Sequence, residues 1–335
     1  SLNGKVAGVN INASSSGIGG ATRVVMRGPK SMNQSNQALY VIDGIPITNT
    51  NGGETGGRYS AQPKGEGISD INPDDIESIS VLSGPAAAAL YGASAAQGVI
   101  MITTKRGKVG QKTQIAVSVQ SSLSEAARRV RVLSADEYRA LIQRIDPASA
   151  SKLGTANTDW QDEIYQLAYG GDYNLSVSGA AGKLPYRVST GFYHQQGVLK
   201  TDQMNRVSGD FSINPRLFDS HLAIDASVKV TATHNRFANK DAIGAAVQFD
   251  PTRPVRDNDA KFAPFGGYWA WMDGANLQTL APRNPVALLQ QKEDISDVFR
   301  TISNLKLDYK LHFLPELKLN VNLGYDYASG KGSVI

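Results

Sequence analysis

The chain has 335 residues, 41% hydrophobic and 19% charged, with a net charge of +4 and no cysteine. That length fits one large domain or two medium ones, and the mildly basic balance falls far short of the clustered Lys/Arg stripes of a nucleic-acid binder, so no nucleic-acid partner is expected. Without cysteine there is no disulfide and no thiolate metal site, and no apolar run approaches the roughly 18–20 residues of a membrane helix.

Ser1-Leu2-Asn3-Gly4 has neither the basic start nor the apolar core of a signal peptide, and no initiating Met, so the sequence reads as a processed or excised piece. Residues 6–12 and 24–27 read as short strands. In "ALYVIDGIPI" (38–47) a strand meets a hairpin signal, Asp43-Gly44, and Pro46 argues for a sheet edge. A polar loop, "TNTNGGETGGRYS" (48–60), follows. Residues 71–107 then run from a turn through a strand at 78–82 into a small-residue segment, and on to a second strand at 99–104.

Glycine- and alanine-rich sequence between two strands invites a phosphate-loop reading. A Walker loop needs Gly-Lys-Ser/Thr, because the lysine and hydroxyl meet phosphate and Mg²⁺. No lysine lies between Gly84 and Gly98, and Gly92 and Gly98 lack the three-glycine dinucleotide spacing. The alternative is tight packing. Pro85 starts a short helix, residues 86–89 let it lie close to a sheet, and the two glycines permit sharp turns.

From Lys112 onward the period is two. Ile115, Val117 and Val119 alternate with Gln114, Ser118 and Gln120; Val207, Phe211 and Ile213 oppose Arg206, Ser208, Asp210 and Ser212. Leu222, Ile224, Ala226, Val228 and Val230 oppose Asp225, Ser227, Lys229 and Thr231. About seven such strands are predicted, near the 9–11 residues a tilted strand needs to cross a bilayer. Alternation alone does not say which face is inside, because a soluble sandwich buries the apolar set and a membrane barrel turns it to lipid. The connections discriminate: long and short ones alternate strictly, which places every long loop on one side, as in outer-membrane barrels. Tyr173, Phe218, Phe313 and Tyr327 suit an interfacial aromatic girdle. Seven strands cannot close a barrel around a folded domain, since plugged barrels have about 22, so the chain reads as the front of a longer protein.

The segments "SLNGKVAGVNI", "VVMRGPKSMNQSNQALYVIDGIPI", "INPDDIESISVLSGPAAAALYGASAAQGVIMITTKRGK" and "NTDWQDEIYQLAYGGDYNLSVSGAAGKLPYRVSTGFYHQQGVLK", with "FDPTRPV" and "NPVALL" further on, closely resemble the SusC/RagA family of TonB-dependent outer-membrane transporters of Bacteroidetes. Ser83-Gly84-Pro85 departs from the Lys-Asp-Ala type of sequence more usual there. The resemblance implies a mixed α/β plug domain at 1–111, followed by antiparallel transmembrane β-barrel strands at 112–335. Loops 124–171 and 236–296 would be extracellular. It implies no enzymatic activity and no cofactor. It implies a cell outer membrane location, contact with outer-membrane lipid, a SusD-like surface lipoprotein as lid, and TonB acting through a TonB box absent from this chain. The substrate would be an oligosaccharide or an oligopeptide, the former favoured by an aromatic-rich loop. A non-transporting binding or adhesion barrel and a soluble enzyme-bearing β-protein are rival classes, and neither accounts for the plug motif.

Candidate substrate or lid contacts are Arg58 and Tyr59 in the polar loop, and Phe265, Tyr268, Trp269 and Trp271 in "FAPFGGYWAWMDG". Aromatic faces can hold sugar rings or anchor a partner; the competing reading is that they pack the loop onto its neighbours. "LSADEYRALIQRI" (133–145) has a capping box, Ser134 with Glu137, ahead of an amphipathic run. His194, His221, His234 and His312 lie on separate segments without ligand spacing, so no metal site is expected. Asp74, Asp75 and Glu77 read as cap and salt-bridge groups near Arg27 or Lys105.

Overall fold

The computed structural model describes residues 9–12, 18, 23–26, 38–47, 71–82, 85–95 and 97–335; Arg27, Arg58, Tyr59 and the polar loop 48–60 lie outside them. Strands β1 (Val9–Asn12) and β2 (Arg23–Met26) form an antiparallel pair. β3 (Leu39–Ile42) and β4 (Ile45–Ile47) form the expected hairpin. Its turn residues Asp43 (φ 50°) and Gly44 (φ 91°) are both left-handed, which aspartate tolerates and glycine adopts freely. A 3-10 turn (Pro73–Asp75) leads into β5 (Ile76–Leu82), and β6 (Val99–Thr104) completes a sheet of order β4-β3-β6-β5. β3 and β6 run parallel and the other pairs antiparallel. Pro46 sits on the edge strand, where its missing N–H breaks no ladder.

The small-residue segment is a packing device. α1 (Pro85–Tyr91) and a 3-10 turn (Gly92–Ala95) place Ala87 and Ala95, both fully buried, against Val41 and Val99. Methyl-sized side chains let the helix lie close to the sheet, and Gly98 (φ 107°) turns the chain into β6. The opposite face of the sheet buries Tyr40, Ile42, Ile45, Ile100 and Ile102, together with Ile302 from the second half of the chain.

That second half holds ten strands, most of them in one sheet of long strands. In chain order these are β7 (Gln114–Ser124), β8 (Ala168–Ala181), β9 (Leu184–Gln196), β10 (Gln203–Ile213), β11 (Arg216–Leu217), β12 (Leu222–Phe237), β13 (Met272–Asp273), β14 (Asn276–Leu277), β15 (Asp294–Leu311) and β16 (Leu314–Val334). The spatial order is β16-β15-β12-β10-β9-β8-β7, with β11 beside β12 and β13–β14 a separate small hairpin. All these pairings are antiparallel. Connections 125–167, 197–202 and 238–293 leave from one side, and 182–183, 214–221 and 312–313 from the other, so the predicted asymmetry is present.

The wall is inside out relative to a soluble sandwich. On β10, Arg206, Ser208, Asp210 and Ser212 are buried, whereas Val207 and Phe211 are 53% and 46% exposed. β12 buries Ser227, Lys229, Thr231 and Thr233 and exposes Val228 and Val230; β9 buries Arg187 and Ser189 and exposes Val188 and Phe192. The buried polar face lies against the N-terminal sheet. Exposing a continuous apolar face to water would be costly, and lipid removes that cost. Among the described residues no helix is long and apolar enough to cross a membrane; the strands are the spanning elements.

Candidate functional site

Two constellations stand out, one where the N-terminal sheet meets the wall and one among the long loops. The first centres on the β3–β4 turn. The Thr104 amide and hydroxyl donate to the Asp43 carboxylate at 2.9 and 2.7 Å. Lys229 Nζ from β12 reaches Asp43 Oδ2 at 3.1 Å and Asp210 Oδ2 on β10 at 2.6 Å. Asn304 on β15 donates to the Asp43 carbonyl at 2.5 Å. Arg106 lies 3.6 Å from Asp43 and 3.1 Å from Asp225, which Arg216 also pairs at 3.0 Å. Burial alone would raise the Asp43 carboxyl. Lys229, the Thr104 amide and hydroxyl, and Arg106 outweigh it and hold the group below the usual carboxylate range.

A second contact joins Asp75 to the wall. Arg187 and Ser189 on β9 donate to its Oδ1 at 2.8 and 2.6 Å, while the Asn72 amide donates to Asn174 on β8 at 2.6 Å. The acidic cluster lies beside Lys105 as expected and Asp75 is a salt-bridge group, but Lys105 meets backbone and not a carboxylate. Lys105 binds the Asp74 carbonyl at 2.7 Å, and the carboxylate that forms a buried ion pair is Asp75, with Arg187. Asn72 supplies the cap. Close approach completes the seat: a Cβ on Gly324 of β16 would come within 2.7 Å of the Ile45 side chain. The N-terminal sheet is thus held on the polar face of the wall by buried ion pairs and hydrogen bonds around a small apolar contact. Such pairs make an orientation specific more than they make it strong, because desolvation offsets most of the attraction.

The second constellation is a shared core of the three long connections. It buries Trp160 and Ile164 of the short helix Trp160–Ile164 with Leu199 and with Ala242, Ala246 and Phe249 of or beside a later helix (Asp241–Gln248). Phe262, Trp269 and Leu289 join them. The Trp160 indole donates to the Asp250 carbonyl at 2.9 Å and meets the Phe249 ring edge-on at 4.6 Å. Asn284 caps the helix Pro285–Gln290 and donates to the Val255 and Trp269 carbonyls, both at 3.0 Å. Backbone bonds Thr158 N–Pro251 O (2.9 Å) and Gln166 N–Val198 O (2.9 Å) stitch the loops together. The capping box of Ser134 and Glu137 is present on the helix Ala135–Ile145, as its sequence predicts.

Of the aromatic candidates, Tyr268 and Trp269 are buried, and Trp269 lies 4.6 Å below the Arg253 guanidinium. Trp271 is half-buried, stands edge-on to Trp269 at 4.8 Å and lines a cavity of about 960 Å³ with Tyr138, Trp160, Arg131, Asp159 and Gln278. Burial pushes the Tyr138 hydroxyl above its ordinary value. Phe265 and Tyr268 border a smaller hollow of about 380 Å³. Asp43, Asp210 and Lys229 appear in the sequence as a turn residue and two polar-face strand residues, not as candidate site residues. The available signal was a charged residue recurring on the polar face of adjacent strands. His221 and His312, far apart in sequence, stack at 4.1 Å on neighbouring short turns; among the described residues no group of three or more His, Asp or Glu could hold a metal ion.

Residues 1–99 match the TonB-dependent receptor plug domain. The whole chain is 38% identical to the TonB-dependent receptor SusC of Bacteroides thetaiotaomicron, covering 34% of that protein. It is 28% identical over 98% of its length to the TonB-dependent receptor P39 of Formosa agariphila, covering 29% of it. In fold it is similar to the RagAB peptide importer in its closed-closed state, with a TM-score of 0.75 over 99% of this chain and 39% of that one, at 19% identity. The chain therefore spans about a third of the length of the curated relatives it matches.

Proposed function

The chain belongs to the SusC/RagA-type TonB-dependent receptors of the outer membrane, and on that premise we propose that the protein carrying it imports an oligosaccharide, with a SusD-like surface lipoprotein as its lid. Residues 1–111 serve as the plug, 112–335 as the first part of the barrel, and loops 124–171 and 236–296 face outward. Substrate trapped between loops and lid sits above the plug. TonB, drawing on the inner-membrane proton gradient, then pulls the plug from its seat.

The observation that carries this reading is the loop cavity of about 960 Å³. It has the size of a ligand site, an aromatic floor at Trp160, Trp271 and Tyr138, and planar polar groups such as Gln278 and Asn157 at its edge. Flat apolar faces flanked by such groups match the two faces of a sugar ring. Trp271 is the stacking contact, Phe265 and Tyr268 form a second contact at the smaller hollow, and Trp269 holds both in place. Arg58 and Tyr59 belong to the plug side of the same proposal. The charged edge, Arg131 and Asp159, also suits peptide ends and makes an oligopeptide the second reading, in keeping with the RagAB importer.

The test is extraction of the intact protein in detergent from its own outer membrane, followed by native mass measurement of everything that co-purifies. A complex with a lipoprotein and a bound saccharide supports the proposal. A bound peptide replaces the substrate, and a lone barrel with neither lid nor ligand favours the non-transporting binder.

A further inference from the structure

The turn between β9 and β10, residues 197–202, touches both the loop core and the plug. Leu199 is buried in the core with Trp160 and Ile164. Four hydrogen bonds tie the turn to the short helix Trp160–Ile164 and the residues after it. The Lys200 amide donates to the Ile164 carbonyl at 2.9 Å, and Lys200 Nζ to the Glu163 carbonyl at 2.6 Å. The Gln166 amide donates to the Val198 carbonyl at 2.9 Å, and its side chain to the Gly197 carbonyl at 3.0 Å. At the other end of the turn stands Asp202, whose Oδ2 accepts from the Ile18 amide of the plug at 3.4 Å.

The plug contact is the weaker side. Asp202 is buried, yet its Oδ1 has no hydrogen-bond partner among the described residues. Burial outweighs the Ile18 and Ala238 amides and Lys240, and raises the carboxyl. Thr201, just before it, has φ 73°, a left-handed conformation that a β-branched residue holds only under strain. A Cβ on Gly197 would come within 2.6 Å of the Asp202 side chain, and the Gly197 amide donates to the Asp202 carbonyl at 2.7 Å. The turn is therefore closed tightly on itself and moves as one piece. Four bonds and a buried leucine stand against one long bond to the plug among the described residues, and that imbalance decides which contact gives way. When the helix shifts, the turn follows it and Asp202 leaves Ile18. Release also frees Thr201 from its strained conformation and gives the orphaned carboxylate oxygen access to water.

The helix is also the part of the core that an occupant would press on. Asp159, its cap, and Trp160, its first residue, both line the cavity of about 960 Å³. We propose that turn 197–202 is a strut that reports occupancy of the loop cavity to the plug: an occupant displaces the helix through Trp160 and Asp159, and Asp202 lets go of Ile18. Asp202 is a positioning residue, since it does not line the cavity. The proposal rests on the reading of that cavity as the ligand site. Coupling of this kind is reciprocal, so a plug already released at Ile18 favours occupancy. The strained turn is the two-state element that both ends bias.

The test uses the intact protein in detergent and an occupant whose identity is known. Gln278→Cys, in a background otherwise free of reactive thiols, places one thiol on the exposed lining of the cavity, and fluorescein maleimide coupled there is the occupant. Hydrogen–deuterium exchange of the peptide containing Ile18 reads the release, because exchange follows local opening. Coupling is expected to speed exchange at Ile18 about tenfold, the weight of one hydrogen bond to a charged group. Asp202→Ala is expected to exchange at the fast rate with or without the occupant. Asp202→Asn keeps an acceptor oxygen and is expected to restore the occupant's effect. Heat-modifiable gel mobility confirms that each variant is folded. An exchange rate that the occupant leaves unchanged or slows overturns the proposal. So does an occupant effect that persists in Asp202→Ala or is absent from Asp202→Asn. The two readings fail separately. An occupant that acts through Asp202 in a protein holding no saccharide upholds the strut and removes the saccharide, whereas a co-purified saccharide with an unresponsive Ile18 does the reverse.

Discussion

Lys229 is the residue on which the seat turns. It stands between Asp43 of the plug and Asp210 of the wall, with all three side chains nearly buried. Lys229→Met leaves Asp210 without its cation and Asp43 with only the more distant Arg106, at 3.6 Å, and breaking a buried pair in this way costs about 3–5 kcal/mol. Adding Asp43→Asn and Asp210→Asn to that variant removes the unpaired charges and should restore most of the loss, which a comparison of melting temperatures in detergent would read. The pH dependence follows from Asp43, whose folded-state carboxyl is held below the ordinary carboxylate range by Lys229, Thr104 and Arg106 against the effect of burial. A depressed carboxyl contributes stability that is present above the unfolded value and lost as pH falls through the folded one. Proteolysis of the plug should therefore stay slow through mildly acid conditions and rise only below the unfolded carboxylate value of about 3.9. Asp202 has the opposite sense, because burial raises its carboxyl, so its contribution is retained in acid and declines as pH rises through the folded value. At this scale the sequence was half legible. Asp43-Gly44 announced a hairpin through local turn chemistry, but the partner of its carboxylate stands 186 positions away in number, at Lys229, and no local pattern links the two.

Among the elements, strands were legible and loop packing was not. Period two marks each long strand, because one face meets lipid and the other meets polar groups, whichever way the wall turns. The loops instead share one core drawn from three connections, and nothing local shows that Trp160 of the first should bond the Asp250 carbonyl of the third. "FDPTRPV" and "NPVALL" were noted as matching sequence. Their physical roles, Asp250 bonding Thr252 and Arg253 and Asn284 tying two carbonyls, emerge only from the fold. These contacts separate two tryptophans that look alike in sequence. Trp160→Ala removes a buried ring and its hydrogen bond, and should weaken the loop assembly by about 3–5 kcal/mol. The expected result is protease cleavage within 125–167 while the strands stay protected. Trp271→Ala, at a half-buried site facing the cavity, should leave the cleavage pattern unchanged and lower affinity for a bound saccharide. If both variants lose loop protection equally, Trp271 is part of the core and not a contact.

For the whole molecule, the decisive property is which face of the wall meets the surroundings. Alternation could not decide it, and the strict alternation of long and short connections did, because only a barrel crossing a membrane has reason to place its long loops on one side. The structure adds the direct physical sign: buried Arg206, Ser208 and Asp210 beside exposed Val207 and Phe211 on the same strand. This polarity makes a depth-dependent prediction that a soluble sheet would not obey. Val228 projects outward near the middle of the apolar band, and a cation there has no water, no anion and little reach to either surface. Val228→Arg should cost about 2–4 kcal/mol, while Asn205→Arg, paired with His234 just beyond Ala232, the last outward apolar position of β12, should cost about 0–1 kcal/mol. Urea titrations of the intact protein folded into vesicles, followed by heat-modifiable mobility, would give both values. In a soluble sandwich the two outward positions would be equally hydrated, and the two substitutions would differ little. A gap of about 2 kcal/mol or more between them locates the bilayer on the outer face and fixes its upper edge between the rungs of Ala232 and His234.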